Sequence, residues 1–382
     1  MLRLTYMVLA LALTVSAPSL AEPGADPIAD RIAELVGSWH EAGQFDGAVL
    51  VADRGRVVWK GGVGSAVREW DIPNGPDVRY PIASLSKQFT AVLVLMEVEK
   101  GTISLDSTVS HYLPDYPKAR GERIRIRHLL SHSSGLTEVP LEVYFDPRPE
   151  AEEASWVVKT HASGELQFEP GSSFAYTNAD YHVLQAILER VTNRSFADLL
   201  RESIVEPLGL EETGIARRDA LIDRRANDYT RLEDGGYTRT PPYQWENWGA
   251  AGAMYSTVED LHLWNRALVD HALLSRRMTD LMLTPLEGPN NSVALGSWVY
   301  PRPLPGSDLR PMLVERRGAI GGFAILNVFI RETKQWVVIL ANTYNEDIHT
   351  LPWADCLPLD LLLVLNGLEP NGPKPTAELP DG

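Results

Sequence analysis

Residues 83–101 read ASLSKQFTAVLVLMEVEKG. Phe89, Val92, Leu93 and Met96 fall on one face at helical spacing, and Lys100-Gly101 supplies a stop. The stretch therefore reads as a helix that buries its apolar side, with a lysine near its start. Residues three apart on a helix are neighbours, so Lys87 faces Ser84 and not Ser86. A serine hydroxyl is a weak nucleophile until a base takes its proton. A lysine in water is protonated at neutral pH and cannot be that base. Desolvation or a second cation nearby would free its lone pair. The free N–H groups of the helix start would also stabilise negative charge on a substrate oxygen. A bare Ser-x-x-Lys match is expected about once by chance in a chain this long, so the pair needs company.

Outward from this helix the chain changes period. Upstream, Asp26-Pro27 opens a helix carrying Ile28, Ile32, Leu35, Val36 and Trp39, which Gly43 can end. GAVLVA (47–52) and RVVWKG (56–61) flank Asp53-Arg54-Gly55 and read as a hairpin. From about 110 to 282 the pattern is mostly helical with long loops. Ser195 with Asp198, and Ser256 with Glu259, look like capping boxes. Strand signals return at VALGSWVY (293–300), FAILNVFI (323–330) and QWVVILANT (335–343), and Pro358 precedes a short helix, LDLLLVLNG. Strands from both ends of the chain form one sheet only if the middle is inserted between them. The expected fold is α+β: an antiparallel sheet flanked by helices, built from residues 22–110 and 283–368, with a mainly helical insert at 111–282. Residues 369–382 are rich in Pro and Gly and read as a loose tail.

Residues 1–21 stand apart. Arg3 is the only charge, Leu4 to Ala17 is apolar, and Ser19-Leu20-Ala21 offers small residues for cleavage. That is the pattern of a secretory signal peptide, with an apolar run too short to span a bilayer, and it places the product in the periplasm or outside the cell with no membrane insertion after cleavage. The chain holds 35 Lys and Arg against 51 Asp and Glu, a net charge of −16. So acidic a surface repels nucleic acid and anionic lipid. The single cysteine, Cys356, cannot form an internal disulfide and reads as a small hydrophobe.

Two further clusters supply the company that Ser84 and Lys87 need. In FAYTNADYHVLQAILERV (174–191), Tyr176-Thr177-Asn178 precedes a helix that buries Val183, Leu184, Ile187 and Val191. A phenol beside a cationic lysine ionises more easily and can relay protons. The Asn178 amide can donate to a substrate carbonyl and accept from Lys87. In ERRGAIGGFAILNVF (315–329), Arg316 and Arg317 precede Gly318 on a strand. A strand glycine lets a ligand or another backbone approach closely. A guanidinium beside it can clamp a substrate carboxylate; alternatively, an arginine there pairs with Glu315 at the surface.

Together, Ser84-Leu85-Ser86-Lys87, Tyr176-Thr177-Asn178 and Arg316-Arg317-Gly318 resemble the three motifs of the serine β-lactamase and penicillin-binding superfamily. The resemblance is to its class C β-lactamase-like branch, which also holds esterases, D-aminopeptidases and D-alanyl-D-alanine carboxypeptidases. Supporting stretches are YPIASLSKQFTA (80–91), IRHLLSHSSGL (126–136), FEPGSSFAYTNADY (168–181), PLGLEETG (207–214) and AAGAMYSTVEDLHLW (250–264). The resemblance implies that Ser84 is the nucleophile and that Lys87 and Tyr176 share the acid and base work, in an order the sequence leaves open. It implies that Asn178 positions substrate and lysine, and that the backbone N–H groups of Ser84 and Ala319 form an oxyanion hole, with Arg316 and Gly318 at the substrate. The chain departs from the family at Arg316, where Lys or His is usual; charge is kept, while shape and pKa are not.

The function expected is hydrolysis of an ester or amide, whether a short-chain ester, a D-amino-acid peptide or a β-lactam, through an acyl-serine and without metal or organic cofactor. The alternative is a penicillin-recognising sensor that acylates with little turnover; an inactive scaffold is disfavoured by the intact Ser, Lys, Tyr and Asn set. His128 and His132, four apart, could share a helical face, but no His-Glu-x-x-His pattern or third ligand accompanies them. Trp245 and Trp248 read as packing aromatics or, alternatively, as side chains that line the cleft and contact substrate. Sequence sets neither the substrate nor the oligomeric state.

Overall fold

The first described helix, α1 (Pro27–Glu41), starts where Asp26 accepts the Ile28 N–H and proline occupies the first turn. The computed structural model describes residues 26–374 apart from 146–153, 218–219, 233, 242 and 288–290. The signal sequence read at 1–21 lies outside the described residues. Two strands follow α1: β1 (Gly47–Asp53) and β2 (Arg56–Val63). Arg54 and Gly55 between them both have positive φ, 49° and 76°, the conformation a two-residue hairpin turn requires.

Four more strands come late in the chain: β3 (Trp298–Pro301), β4 (Met312–Ile320), β5 (Phe323–Ile330) and β6 (Gln335–Ala341). All six make one antiparallel sheet in the order β3-β4-β5-β6-β1-β2. The first hairpin thus joins the last strands through β1 and β6, with Gly47 opposite Ala341 and Ala52 opposite Trp336. Alternation sorts the side chains. Val49, Val51, Leu326, Val328, Val337 and Ile339 pack against α1 and a C-terminal helix, α5 (Leu357–Leu365). Leu50, Ile325, Phe329 and Val338 face the opposite way, into a core shared with α2 (Ser86–Glu99), α3 (Ala179–Thr192) and α4 (Val258–Val269). Cys356 is fully buried beside α5.

Several local expectations change. The run 293–300 is a strand only from Trp298; Gly296 has φ +87° and Ala294 donates to the Ser297 carbonyl, so the chain turns there. The helix expected to be capped by Ser256 is capped one residue later, where Thr257 accepts the Asp260 N–H. The region between β2 and β3 also carries short strands, at Gly214–Ile215, Tyr229–Arg231, Tyr237–Arg239 and Met254–Ser256. His128 and His132 do not share a helical face, because that helix ends at Leu130 and His132 has φ +54°. Residues 371–374, read as loose tail, are tied down. Asp360 accepts from the Asn371 and Gly372 N–H groups, and Gln44 bonds to the Lys374 backbone. Residues 375–382 lie outside the described ones.

Candidate active site

Ser84 sits in a single 3₁₀ turn, Ala83–Leu85, that leads directly into α2. Ala83 before it has φ +46°, a conformation that costs an L-residue on the order of 1–2 kcal/mol. Ser86 points elsewhere: its hydroxyl donates to the Ala83 carbonyl at 2.6 Å and accepts the Met254 N–H at 3.2 Å. It staples the helix start and is fully buried.

The Ser84 hydroxyl oxygen has two partners. Lys87 Nζ lies 3.0 Å away and the Tyr176 hydroxyl 2.8 Å away. Lys87 is completely buried and also donates to Asn178 Oδ1 at 2.7 Å and to the Ala251 carbonyl at 2.6 Å. Three acceptors match the three N–H bonds of an ammonium. Burial pushes the Lys87 amine below its ordinary value; the Tyr176 oxygen pulls it back and Arg316 pushes it down again, leaving it lowered. For the Tyr176 phenol, burial acts upward, but Lys87, Arg316 and its hydrogen bonds outweigh it and leave it lowered too. Tyr176 keeps one open side, at 37% exposure, while its hydroxyl is held between Ser84 and Arg316.

Arg316 differs from its expected part as a carboxylate clamp. It is 1% exposed; its Nε donates to the Ser84 carbonyl at 2.9 Å and a terminal nitrogen to the Tyr176 hydroxyl at 3.3 Å. A guanidinium committed to two site residues and closed off from solvent cannot present the open two-pronged face a carboxylate needs. The arginine that pairs with Glu315 is Arg317, at 2.7 Å, and because the carboxylate is fully buried the pair does not lie at the surface as expected. Gly318 lies where β4 presses on the 3₁₀ turn: a Cβ there would be 2.5 Å from the Ile82 carbonyl and 2.9 Å from the Ser84 nitrogen. Ala319, next along the strand, is exposed.

Some neighbours carry no mark in the sequence that ties them to this site. Glu138 accepts the Asn178 N–H, fixing the start of α3. The Ala251 carbonyl, a lysine acceptor, belongs to a single helical turn, Gly249–Gly252, at the start of a stretch that carries the resemblance but does not mark that carbonyl. His132 lies against Tyr176, its ring tilted by 41° with centroids 4.4 Å apart, and its Nδ1 meets Asp180 at 3.0 Å. Burial pushes the His132 imidazole well down and the Asp180 carboxyl well up, so both tend toward their neutral forms. Trp298 lies parallel to Tyr176 at 6.1 Å and under Arg316. Trp245 and Trp248 are buried, the latter stacked on Tyr144. Among the described residues, no group of three or more His, Cys, Asp or Glu could hold a metal ion, and no helix is long and apolar enough to cross a membrane.

A buried lysine and a phenol converging on one serine, at the foot of an antiparallel sheet flanked by helices, define the serine β-lactamase and penicillin-binding superfamily. The chain belongs to its Beta-lactamase family, which it matches over residues 28–354. It is similar to PbpX, a putative penicillin-binding protein of Bacillus subtilis: 27% identical over 303 residues, spanning 79% of this chain and 71% of that one. A D-aminopeptidase of Gluconobacter oxydans is 29% identical over 229 residues, 58% of this chain and 41% of that protein. The D-amino acid amidase of Ochrobactrum anthropi SV3, solved with D-phenylalanine, superposes with a TM-score of 0.76 at 22% identity, over 90% of this chain and 99% of that one. At that identity the likeness is one of fold.

Proposed function

We propose that this protein is an exported serine hydrolase that transfers the acyl group of an ester or amide to water through an acyl-Ser84 intermediate. The observation that carries the reading is the pair of hydrogen bonds to the Ser84 hydroxyl, one from a buried amine and one from a phenol. The Tyr176 oxygen pulls the Lys87 amine toward its charged form and Lys87 in turn favours the phenolate, so we read the pair as ammonium and phenolate. Tyr176 is then the group that takes the Ser84 proton as the hydroxyl attacks the substrate carbonyl. Its phenol returns that proton to the leaving group, and water repeats the sequence on the acyl-enzyme. Lys87 and Arg316 hold charge against the phenolate throughout. The oxyanion would be met by the Ser84 and Ala319 N–H groups, where loss of one donor typically costs about 2.7–4 kcal/mol of barrier. Asn178, fixed by Glu138, orients the substrate amide.

Short-chain esters, D-amino-acid peptides and β-lactams all fit this chemistry; the name of the Gluconobacter relative favours a D-amino-acid amide, and that of PbpX keeps open a penicillin-recognising protein that deacylates slowly. The leader pattern at 1–21 supports a periplasmic or secreted site of action. The test is purified protein assayed in parallel on nitrocefin, p-nitrophenyl esters and D-Ala peptides, with Ser84→Ala as control. Turnover abolished by Ser84→Ala is expected. Hydrolysis that survives the substitution removes Ser84 as nucleophile, and stoichiometric labelling without turnover favours the sensor.

A further inference from the structure

Beyond the end of β4 lies a cavity of about 420 Å³ whose walls include Arg225, Asp228, Arg239, Tyr243, Trp245 and Phe323. Its charged groups are unequally engaged. Asp228 accepts the Gly322 N–H at 2.9 Å and the Tyr243 hydroxyl at 3.0 Å. Arg239 approaches Glu69 at 3.5 Å. Arg225 is half-buried, with its guanidinium 6.0 Å from the Trp245 ring and without a hydrogen-bonded or ion-paired acceptor among the described residues. Asp228 is the nearby carboxylate whose charge acts on it, but Asp228 is already engaged by Gly322 and Tyr243, so the half-buried guanidinium keeps its donors for an anionic ligand. The floor offered by Trp245, Tyr243 and Phe323 is aromatic. The cavity therefore suits a carboxylate carried on a short apolar stem.

Its place along β4 says which part of a substrate could reach it. The strand meets the Tyr176 hydroxyl at Arg316, touches the Ser84 backbone at Gly318, and ends at Ile320. Gly321 and Gly322 then turn the chain against Tyr243, Asp228 and Tyr229. At about 3.3 Å per residue, Gly321 is about 7 Å beyond Ala319, on the side away from Tyr176. The leaving group departs toward Tyr176, which protonates it. What remains on Ser84 extends the other way, toward Arg225.

We propose that the Arg225 cavity is an acyl-side subsite for a carboxylate, so that the preferred substrates are esters or amides whose acyl group ends in an acid a few carbons from the scissile carbonyl. The proposal rests on the serine-hydrolase reading above. Arg225 binds the carboxylate with paired N–H donors, and the apolar stem covers Trp245 and Phe323.

The test has a binding arm and a turnover arm. In the first, monomethyl glutarate and monomethyl adipate are titrated calorimetrically into Ser84→Ala protein and into Ser84→Ala with Arg225→Met. A loss of affinity of about tenfold or more in the double variant is expected, the size of a hydrogen-bonded charge pair, with partial recovery for Arg225→Lys. In the second, p-nitrophenyl hydrogen glutarate and adipate are compared with p-nitrophenyl pentanoate. Arg225→Met should lower kcat/KM about tenfold or more on the acids and less than about twofold on the neutral ester. Equal affinity with and without Arg225, or an acid-to-neutral preference that Arg225→Met leaves unchanged, overturns the subsite. Failure of the neutral ester to turn over strikes instead at the hydrolase reading, and the binding arm still decides the subsite.

Discussion

Replacing Arg316 with glutamine removes the guanidinium that touches both the Ser84 carbonyl and the Tyr176 hydroxyl. Arg316 is among the causes that hold the Tyr176 phenol and the Lys87 amine below their ordinary values. Without it, both move up. The base form of Tyr176 exists above its pKa, so the acid limb of the kcat/KM profile moves to higher pH in the variant. A hydrogen bond to a charged group is worth about 1.5–3 kcal/mol, or about 10- to 150-fold in rate. The Arg316 to Tyr176 bond is long, at 3.3 Å, which puts the expected loss near neutral pH toward the lower end. The assay is p-nitrophenyl ester hydrolysis from mildly acid to alkaline pH for wild type, Arg316→Gln and Arg316→Lys. Arg316→Gln should regain activity as pH rises, because the defect is one of ionisation. Arg316→Lys keeps the charge and should hold the acid limb near its wild-type place, with a smaller loss from the missing bond to the Ser84 carbonyl. An acid limb that stays put or moves down in Arg316→Gln, or a loss that alkali does not relieve, would refute the assignment of Tyr176 as an electrostatically tuned base.

Other expectations follow from the same geometry. Gly318→Ala drives a Cβ onto the Ile82 carbonyl and Ser84 nitrogen; it should cost about 1–3 kcal/mol in urea unfolding, as is typical of overpacking, and lower kcat by about tenfold or more. Ser86→Ala leaves the buried Met254 N–H without its acceptor; stability should fall by about 1–3 kcal/mol while labelling by an acylating substrate persists, and a variant that no longer labels would contradict the structural role of Ser86. Burial pushes the Cys356 thiol up to about 12; it should resist Ellman's reagent in the native protein and react once guanidinium unfolds the chain.

Much of this arrangement was legible because it depends on short-range chemistry. The Ser84 and Lys87 contact follows from helical spacing alone, and β1, β5 and β6 announce themselves as apolar runs whose two faces are both covered. That strands from both ends of the chain share one sheet followed from the helical region between them; that β1 and β6 are the strands that adjoin did not. What could not be read was side-chain reach across the fold. Whether Arg316 faces substrate or the site depends on a crossing of β4 over the turn at Ser84, which no local pattern encodes. The Ala251 carbonyl is a backbone group with no residue-specific mark, and Glu138 acts from a loop more than thirty positions before Asn178. The strand expected across 293–300 began late because Gly296 was read as part of a β run, when its positive φ makes it a turn.

The central claim is that the hydroxyl at 84, and not the one at 86, becomes acylated. Trypsin should release both serines in one peptide, Tyr80 to Lys87, since Arg79 precedes it and Lys87 ends it. Protein quenched during turnover of a slow ester or a penicillin should yield that peptide with the acyl mass added, and fragmentation should place the mass on Ser84. Acylation located on Ser86, or a covalent adduct only elsewhere in the chain, would contradict the account.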